Sequence, residues 1–297
     1  MSSKRDGRFL SLTAPLDLSG KSLPELQKLF KEYLENGVHG LCSSMYLEGQ
    51  KPGDQLSEEQ IRRRLEIISP YTSWIRSFST TDGNEMIPVI AKEYGIQTLV
   101  GAWLGDDPKI NEQEVANLID LCNDGVVDVA AVGNEVMYRG DLTESELLDF
   151  LSWAKDSIKD IPVGYVDAYY EFSHRPAITE ACDIILANCY PFWEGCDQNY
   201  SLMYMKEMYY QAKAAGNGKR IIITETGWPD QGSSLHGAVP STENAMKYFI
   251  NAQQWSAAEG IEMFYFSSFD ESWKVGSEGD VGAYWGIWDK DEQHKFI

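Results

Sequence analysis

The sequence has few cysteines and histidines for its 297 residues, and both shortages argue against particular kinds of site. The five cysteines are an odd number and include no Cys-x-x-Cys pair, so we expect reduced thiols in the core and no disulfide framework. The four histidines include no pair spaced as zinc ligands. We therefore predict neither a metal nor a cofactor.

Long apolar runs are also missing. No stretch reaches the roughly 18 consecutive apolar residues that a membrane helix requires, so we expect no membrane insertion. The first residues, Met1–Arg8, are polar and charged and lack the apolar centre of a secretion signal. We expect a cytoplasmic protein if the sequence is taken as written, and a periplasmic or secreted one if a signal has been removed.

Basic residues are scarce relative to acidic ones. The chain has 25 lysines and arginines against 46 aspartates and glutamates, which gives a formal net charge of -21. Such a field repels nucleic acid and anionic membranes but sets no barrier to neutral ligands. We therefore expect a monomer that binds neither nucleic acid nor membranes.

Short apolar runs recur along the whole chain, and an amphipathic segment follows most of them. Several runs, such as 184–187 and 221–223, are apolar without a break, which is typical of parallel strands covered on both faces. The predicted strands are Gly37–Tyr46, Thr72–Thr80, Gln97–Leu104, Val127–Glu135, Ile161–Ala168, Cys182–Pro191, Arg220–Gly227 and Glu262–Glu271.

Helix-start signals lie between these strands. Ser22, Ser57 and Thr143 each begin a capping-box pattern, and Gly125 and Gly260 are placed to end helices. Eight strands alternating with helices over this length predict an α/β fold, a closed (β/α)8 TIM barrel forming a single domain over residues 1–297. An open doubly wound sheet is the alternative, but no Gly-x-Gly-x-x-Gly follows the first strand.

Carboxylates stand at the carboxyl ends of several predicted strands, where barrel enzymes carry their catalytic groups. Glu135 ends the fourth strand, Glu225 lies at the end of the seventh and Glu271 at the end of the eighth. A lone glutamate at a strand end is commonly a solvated loop residue. Two glutamates facing each other across one barrel mouth indicate a functional pair.

Paired carboxylates suit the cleavage of a glycosidic bond, in which one is protonated and donates to the leaving oxygen while the other is ionised and attacks. Repulsion and burial would raise one pKa and leave the other low. Aromatic rings, on which sugar C–H faces pack, crowd the same strand ends: Tyr46, Trp103, Tyr138, Tyr190, Phe192, Trp193, Trp228 and Trp273.

The motifs at these strand ends resemble those of family 17 glycoside hydrolases, the β-1,3-glucanases and β-1,3-glucan transferases. Gly133–Glu135 and Glu225–Pro229 are similar to the two signatures of that family. Ile75–Arg76 resembles its second strand and Tyr190–Phe192 its sixth, and Glu271–Lys274 matches its Glu-x-x-Lys pattern. The second signature is the more specific, because Gly-Asn-Glu recurs in many barrel glycosidases.

The resemblance implies a role for each matching residue. Glu135 would be the acid/base and Glu225 the nucleophile of a retaining β-glycosidase, which hydrolyses or transfers laminarin-type β-1,3-glucan through a covalent glycosyl-enzyme. Asn134 would hold the sugar 2-hydroxyl, Tyr190 would hydrogen-bond the nucleophile, and Glu271 and Lys274 would form an ion pair. The residues expected to bind the oligo- or polysaccharide are Asn134, Tyr46, Arg76, Trp103, Tyr190, Phe192, Trp228, Glu271, Trp273 and Lys274.

Other functions fit parts of the pattern. Other barrel families share the two glutamates, so another β-glucan or a mannan is an alternative substrate. Glu135, Asp167, Glu225 and Glu271 could instead hold Mg²⁺ in a barrel lyase, although the base and the anionic substrate of such an enzyme are not evident. A non-catalytic carbohydrate-binding barrel is a third interpretation.

Overall fold

A computed structural model of the protein describes residues 13–297, so the polar stretch Met1–Arg8 lies outside the described residues. Eight parallel strands close into one barrel in the order in which they follow along the chain, and the first pairs with the last. They are β1 Val38–Cys42, β2 Thr72–Ser77, β3 Gln97–Ala102, β4 Val129–Asn134, β5 Val163–Ala168, β6 Ile184–Asn188, β7 Arg220–Thr226 and β8 Met263–Tyr265. The predicted (β/α)8 fold is confirmed.

Helices connect the strands and cover the outside of the barrel. They are α1 Leu23–Glu35, α2 Glu58–Ile68, α3 Met86–Glu93, α4 Pro108–Asn123, α5 Val136–Arg139, α6 Glu144–Ser157, α7 Glu171–His174, α8 Pro176–Ala181, α9 Gln198–Ala215 and α10 Thr242–Glu259. The capping boxes of Ser57 and Thr143 form as predicted. Each hydroxyl accepts a hydrogen bond from the backbone amide three residues on, and the side chain of that later residue accepts one from the backbone amide of the serine or threonine.

Burial on both faces explains the unbroken apolar strands. Every residue of β6, from Ile184 to Asn188, is buried, because its side chains point alternately into the barrel and towards the surrounding helices. The five cysteines are free thiols; four are buried and Cys196 is partly exposed, so they act mainly as small core residues. Among residues 13–297, no helix combines the length and the apolar character needed to cross a bilayer.

Most predicted strands run too far at their carboxyl ends, and β8 shows the reason. The amide of Phe266 still bonds to Thr226 of β7, but the next amide, Ser267, bonds to Trp285 in the C-terminal loop. The chain then returns to the barrel, where Ser268 donates to Cys42. The residues after Tyr265 therefore leave the regular ladder and build the mouth of the barrel, although they remain buried and apolar enough to read as strand.

The C-terminal segment ties two mouth loops together. Lys295 places its Nζ 2.5 Å from Asp230, which follows β7, and 2.9 Å from Asp270, which follows β8. All three side chains are more than nine-tenths buried. Because a buried charge is costly without a partner, this ion triad fixes the two loops relative to each other.

Candidate active site

A cleft of about 1120 Å³ opens at the carboxyl ends of the strands. Most of the predicted site residues line it: Tyr46, Trp103, Asn134, Glu135, Tyr190, Glu225, Glu271, Trp273 and Lys274. This is the end of the barrel at which such folds carry their chemistry.

Glu225 lies on the floor of the cleft at an irregularity in β7, whose pairing register shifts between Ile223 and Thr226. Its carboxylate accepts hydrogen bonds from Arg76 (2.6 Å), Asn188 (3.1 Å) and Tyr190 (2.7 Å). Three donors, one of them a guanidinium, fix the orientation of this carboxylate in the floor of the cleft. The hydrogen bond from Tyr190 agrees with the role expected for that residue.

The backbone after Glu225 explains the glycine of the second motif. A Cβ atom built on Gly227 would lie 2.0 Å from the carbonyl oxygen of Phe266, a distance that no side chain tolerates. Glycine therefore lets β7 approach the chain leaving β8. This close approach is part of what sets the position of Glu225.

Glu135 faces Glu225 from the end of β4, and its environment is different. Burial raises the pKa of Glu135 to about 7, and the negative charge of Glu225 adds to the effect. A hydrogen bond from Asn188 and the charge of Arg139 oppose the rise without cancelling it. Near neutral pH this carboxyl group can therefore hold a proton and give it up, as a general acid and base must.

Asn188 connects the two carboxylates, and the sequence analysis did not identify it. Its side-chain nitrogen lies 2.8 Å from an oxygen of Glu135 and 3.1 Å from an oxygen of Glu225, so those oxygens cannot be more than about 6 Å apart. Thr224 donates to the amide oxygen at 2.8 Å and fixes the orientation of the group. The available signal was an asparagine that ends a wholly apolar strand, a costly placement unless it is hydrogen-bonded.

Arg76 lies beneath the cleft and links Asn134 of the first motif to Glu225 of the second. It is 1% exposed. One terminal guanidinium nitrogen donates to Glu225 at 2.6 Å and the other donates to the amide oxygen of Asn134 at 2.7 Å. The prediction that Arg76 binds the substrate is corrected here: the side chain does not line the cleft and supports the residues that do.

Phe192 and Trp228 also belong to the core and do not contact the cleft, which corrects their assignment as substrate-binding residues. They are 0% and 1% exposed and pack edge to face with their ring centroids 5.3 Å apart. The indole nitrogen of Trp228 is satisfied by the carbonyl of Val239 at 3.0 Å. Their apolar surface is used in packing the loops after β6 and β7.

The predicted ion pair after β8 forms at the edge of the cleft. Lys274 lies 3.2 Å from Glu271 and 3.6 Å from Glu278, and the indole of Trp273 donates to Glu271. Burial alone would lower the pKa of Lys274, but the three glutamates around it, Glu225 included, raise it above its usual range. The lysine is therefore a permanent positive charge near the floor of the cleft.

Aromatic rings form the walls of the cleft. Tyr46, Trp103 and Trp273 stand where the sequence predicted aromatic contacts, and Tyr138 and Trp193 are well exposed on the opposite wall. The cleft is lined by further aromatic residues that the sequence motifs did not identify: Phe78, Tyr169, Tyr170, Phe266 and Trp285. Such walls suit a ligand with apolar faces and polar edges.

The carboxylates proposed as Mg²⁺ ligands are each engaged in another way. Glu135 accepts a hydrogen bond from Asn188, Asp167 from Tyr165 and Glu225 from Arg76, and Glu271 forms an ion pair with Lys274. Within residues 13–297, no group of three or more His, Cys, Asp or Glu side chains is arranged to hold a metal ion. The arrangement fits paired carboxylate chemistry better than metal-assisted chemistry.

Comparison with known proteins agrees with this geometry. Residues 40–286 match the BtgE/BtgC glycoside hydrolase domain. The chain is 30% identical over 264 residues to the glucan 1,3-beta-glucosidase BGL2 of Candida albicans, covering 78% of this chain and 83% of that protein. It is 26% identical over 265 residues to a glucan 1,3-beta-glucosidase of Saccharomyces cerevisiae, covering 81% and 85%. The structure resembles the glycoside hydrolase family 17 beta-1,3-glucanosyltransferase from Rhizomucor miehei with a TM-score of 0.78 and 26% identity, covering 88% of this chain and 96% of that one.

Proposed function

Since this chain belongs to the BtgE/BtgC glycoside hydrolases of family 17, we propose that it is a retaining β-glycosidase acting on β-1,3-glucan. The names of its relatives support the linkage, because two are glucan 1,3-beta-glucosidases and one is a beta-1,3-glucanosyltransferase. A neutral glucan also suits an aromatic cleft in a protein with a net charge of -21, which would repel an anionic polymer.

The observation that carries the proposal is the short separation of the two carboxylates. Inverting glycosidases keep the carboxyl groups about 6.5–9.5 Å apart to leave room for a water, whereas retaining enzymes hold them about 5–5.5 Å apart. The amide nitrogen of Asn188 bonds to one oxygen of Glu135 and one of Glu225, so the distance between these two oxygens is at most about 6 Å. This spacing supports direct attack by one carboxylate and a double displacement.

In the first step, Glu225 is the nucleophile and Glu135 is the acid. A carboxylate oxygen of Glu225 forms a bond to the anomeric carbon while the bond from that carbon to the glycosidic oxygen breaks. Glu135 gives its proton to the departing oxygen. The raised pKa of Glu135, about 7, supports its role as proton donor.

In the second step, Glu135 changes from an acid to a base. A water molecule or a sugar hydroxyl attacks the anomeric carbon and passes its proton to Glu135, and Glu225 leaves as a free carboxylate. Two inversions at the same carbon restore the β configuration. Attack by water gives hydrolysis and attack by a sugar hydroxyl gives transfer.

The remaining side chains of the cleft position the sugar. Asn134, oriented by Arg76, is placed to hold the sugar 2-hydroxyl beside the nucleophile. Glu271 and Lys274 offer hydrogen bonds at the edge of the same floor, and Tyr46, Trp103 and Trp273 offer ring surfaces. Such contacts hold a substrate in the geometry that reaction requires.

The proposal is tested by incubating the protein with laminari-oligosaccharides and reading product sizes with time. Shorter products alone indicate hydrolysis, and products longer than the substrate indicate transfer. NMR of fresh product should show the β-anomer first. Appearance of the α-anomer first would contradict a retaining mechanism.

Glu225→Gln tests the assignment of the nucleophile. The amide oxygen can keep the bond from Arg76 and the amide nitrogen can donate to the hydroxyl of Tyr190, but the amide cannot attack the anomeric carbon, so we expect the rate to fall by several orders of magnitude, roughly 10³-fold or more. Glu278→Gln is a matched control, since Glu278 lines the cleft and contacts Lys274 but lies outside the proposed chemistry. Near-normal turnover by Glu225→Gln would show that the roles are assigned wrongly.

A further inference from the structure

The one-turn helix α5 follows Glu135 directly, and its first amides are not capped in the usual way. Glu135 occupies the N-cap position, yet its side chain makes no capping bond, because the carboxylate points into the cleft. Two side chains of β5 take over this task. The amide of Met137 donates to the hydroxyl of Tyr165 at 2.9 Å, and the amide of Tyr138 acts on Asp167 and lowers its pKa.

Asp167 itself has no path to a substrate. It is 0% exposed and does not line the cleft, although it stands at the end of a barrel strand. Its carboxylate accepts a bond from the hydroxyl of Tyr165 and another from the amide of Ala168 at 2.7 Å. Burying a carboxylate costs free energy, so the position of Asp167 beside α5 indicates that it has a structural or functional role there.

The backbone of Glu135 supplies one reason. This residue has φ 51° and ψ 30°, the left-handed region that side-chain-bearing residues rarely adopt. Such a conformation costs about 1–3 kcal/mol and persists only where the surroundings enforce it. Its own amide is held by Val166 of β5 at 2.8 Å, and its carbonyl accepts from Arg139 of α5 at 2.8 Å. The geometry of Glu135 therefore depends on how β5 grips α5.

Charge supplies a second reason. The charged groups that act on Glu135 are Glu225 from β7, Asp167 from β5 and Arg139 from α5, and the two carboxylates favour its neutral form while the arginine opposes them. Around Asp167 are the phenols of Tyr165 and Tyr170 and the carboxylate of Glu171. Burial raises the pKa of Asp167 to about 6, so the group is mostly ionised where Glu135 titrates.

We propose that Asp167 and Tyr165 are positioning residues for the acid/base: together they cap α5 and fix the left-handed backbone of Glu135, and the charge of Asp167 helps to keep a proton on it. The inference rests on the proposed role of Glu135. In this proposal Asp167, buried at the end of β5, adjusts the proton affinity of Glu135 without contacting the substrate. Neither side chain binds sugar or takes part in bond breaking.

The first test is Asp167→Asn, which keeps the shape and removes the charge. The ¹³C resonance of the Glu135 carboxyl, assigned by its loss in Glu135→Gln, gives the titration midpoint without any substrate. We expect this midpoint, and the basic limb of the kcat/KM profile on laminari-oligosaccharides, to move down by roughly 0.5 pH unit, as expected for loss of a like charge nearby. Asp128→Asn removes one charge from the opposite end of the barrel, beside Lys92, and should move neither.

The second test is Tyr165→Phe, which removes the cap of Met137. Here we expect kcat to fall roughly tenfold with little change in KM, because the acid/base is misplaced while the sugar contacts remain. A folded Asp167→Asn protein with an unmoved midpoint would overturn the electrostatic part. Should Asp167→Asn not fold, an unchanged kcat in folded Tyr165→Phe would overturn the positioning part. Absence of any activity in the wild type would count against the proposed function alone, since the ¹³C titration still tests Asp167.

Discussion

Arg76 offers the sharpest test of how the floor of the cleft works. Its guanidinium is buried and makes two hydrogen bonds, to Glu225 at 2.6 Å and to Asn134 at 2.7 Å. Arg76→Met removes both bonds while keeping a side chain of similar length. Arg76→Lys keeps the charge but, with a single ammonium in place of the planar fork, should retain only the bond to Glu225.

The size of the effect follows from these contacts. A hydrogen bond to a charged group contributes about 1.5–3 kcal/mol, so losing the one to Glu225 should lower kcat/KM roughly 10- to 150-fold. Arg76→Lys should lose less activity, because its ammonium group can keep one bond to Glu225.

The assay is the initial rate on laminari-oligosaccharides from pH 4 to 9, with circular dichroism and thermal unfolding to confirm that each variant is folded. Arg64→Lys serves as a control for burial, because Arg64 is 0% exposed but pairs with Glu292 away from the carboxylates. A folded Arg76→Met protein with kcat/KM within threefold of wild type would refute the reasoning.

Two further predictions follow from the site and its supports. Because Glu135 must carry a proton to act as an acid and its pKa lies at about 7, kcat/KM should fall as the pH rises through that value, and Glu135→Gln should spare aryl glycosides with good leaving groups more than natural glucans. A pH profile that stays level to pH 9 would contradict this. Trp228→Ala should destabilise the protein by about 3–5 kcal/mol in urea unfolding yet leave KM nearly unchanged, because Trp228 is buried in the core; a large rise in KM without loss of stability would return it to the binding site.

The beginnings of the strands and their order could be predicted from the sequence, whereas their carboxyl ends could not. Unbroken apolar runs such as 184–187 identify buried parallel strands without any knowledge of neighbours. The residues after Tyr265 are equally buried, but they bond alternately to the barrel and to the C-terminal loop. That choice depends on tertiary partners far along the chain, which local pattern does not contain.

The candidate site divides in the same way. Glu135 and Glu225 could be found because charged residues directly after apolar strands are costly without a purpose. Phe192 and Trp228 stand at similar sequence positions but face the core, since loop direction and not spacing decides which way an aromatic ring points. Asn188 was missed because its importance lies in reaching two carboxylates on other strands, a property that only the closed barrel creates.

The side-chain amide of Asn188 is hydrogen-bonded to both of the carboxyl groups that act in the two steps of the proposed reaction. While Glu225 is a free anion, the amide nitrogen donates to both carboxyl groups. In the proposed mechanism, Glu225 becomes an ester and a weaker acceptor at the step in which Glu135 gives up its proton, so the amide then serves mainly the charged Glu135. One immobile group, held by Thr224, can thus follow the negative charge as it passes from one carboxylate to the other and back, with no movement of the backbone.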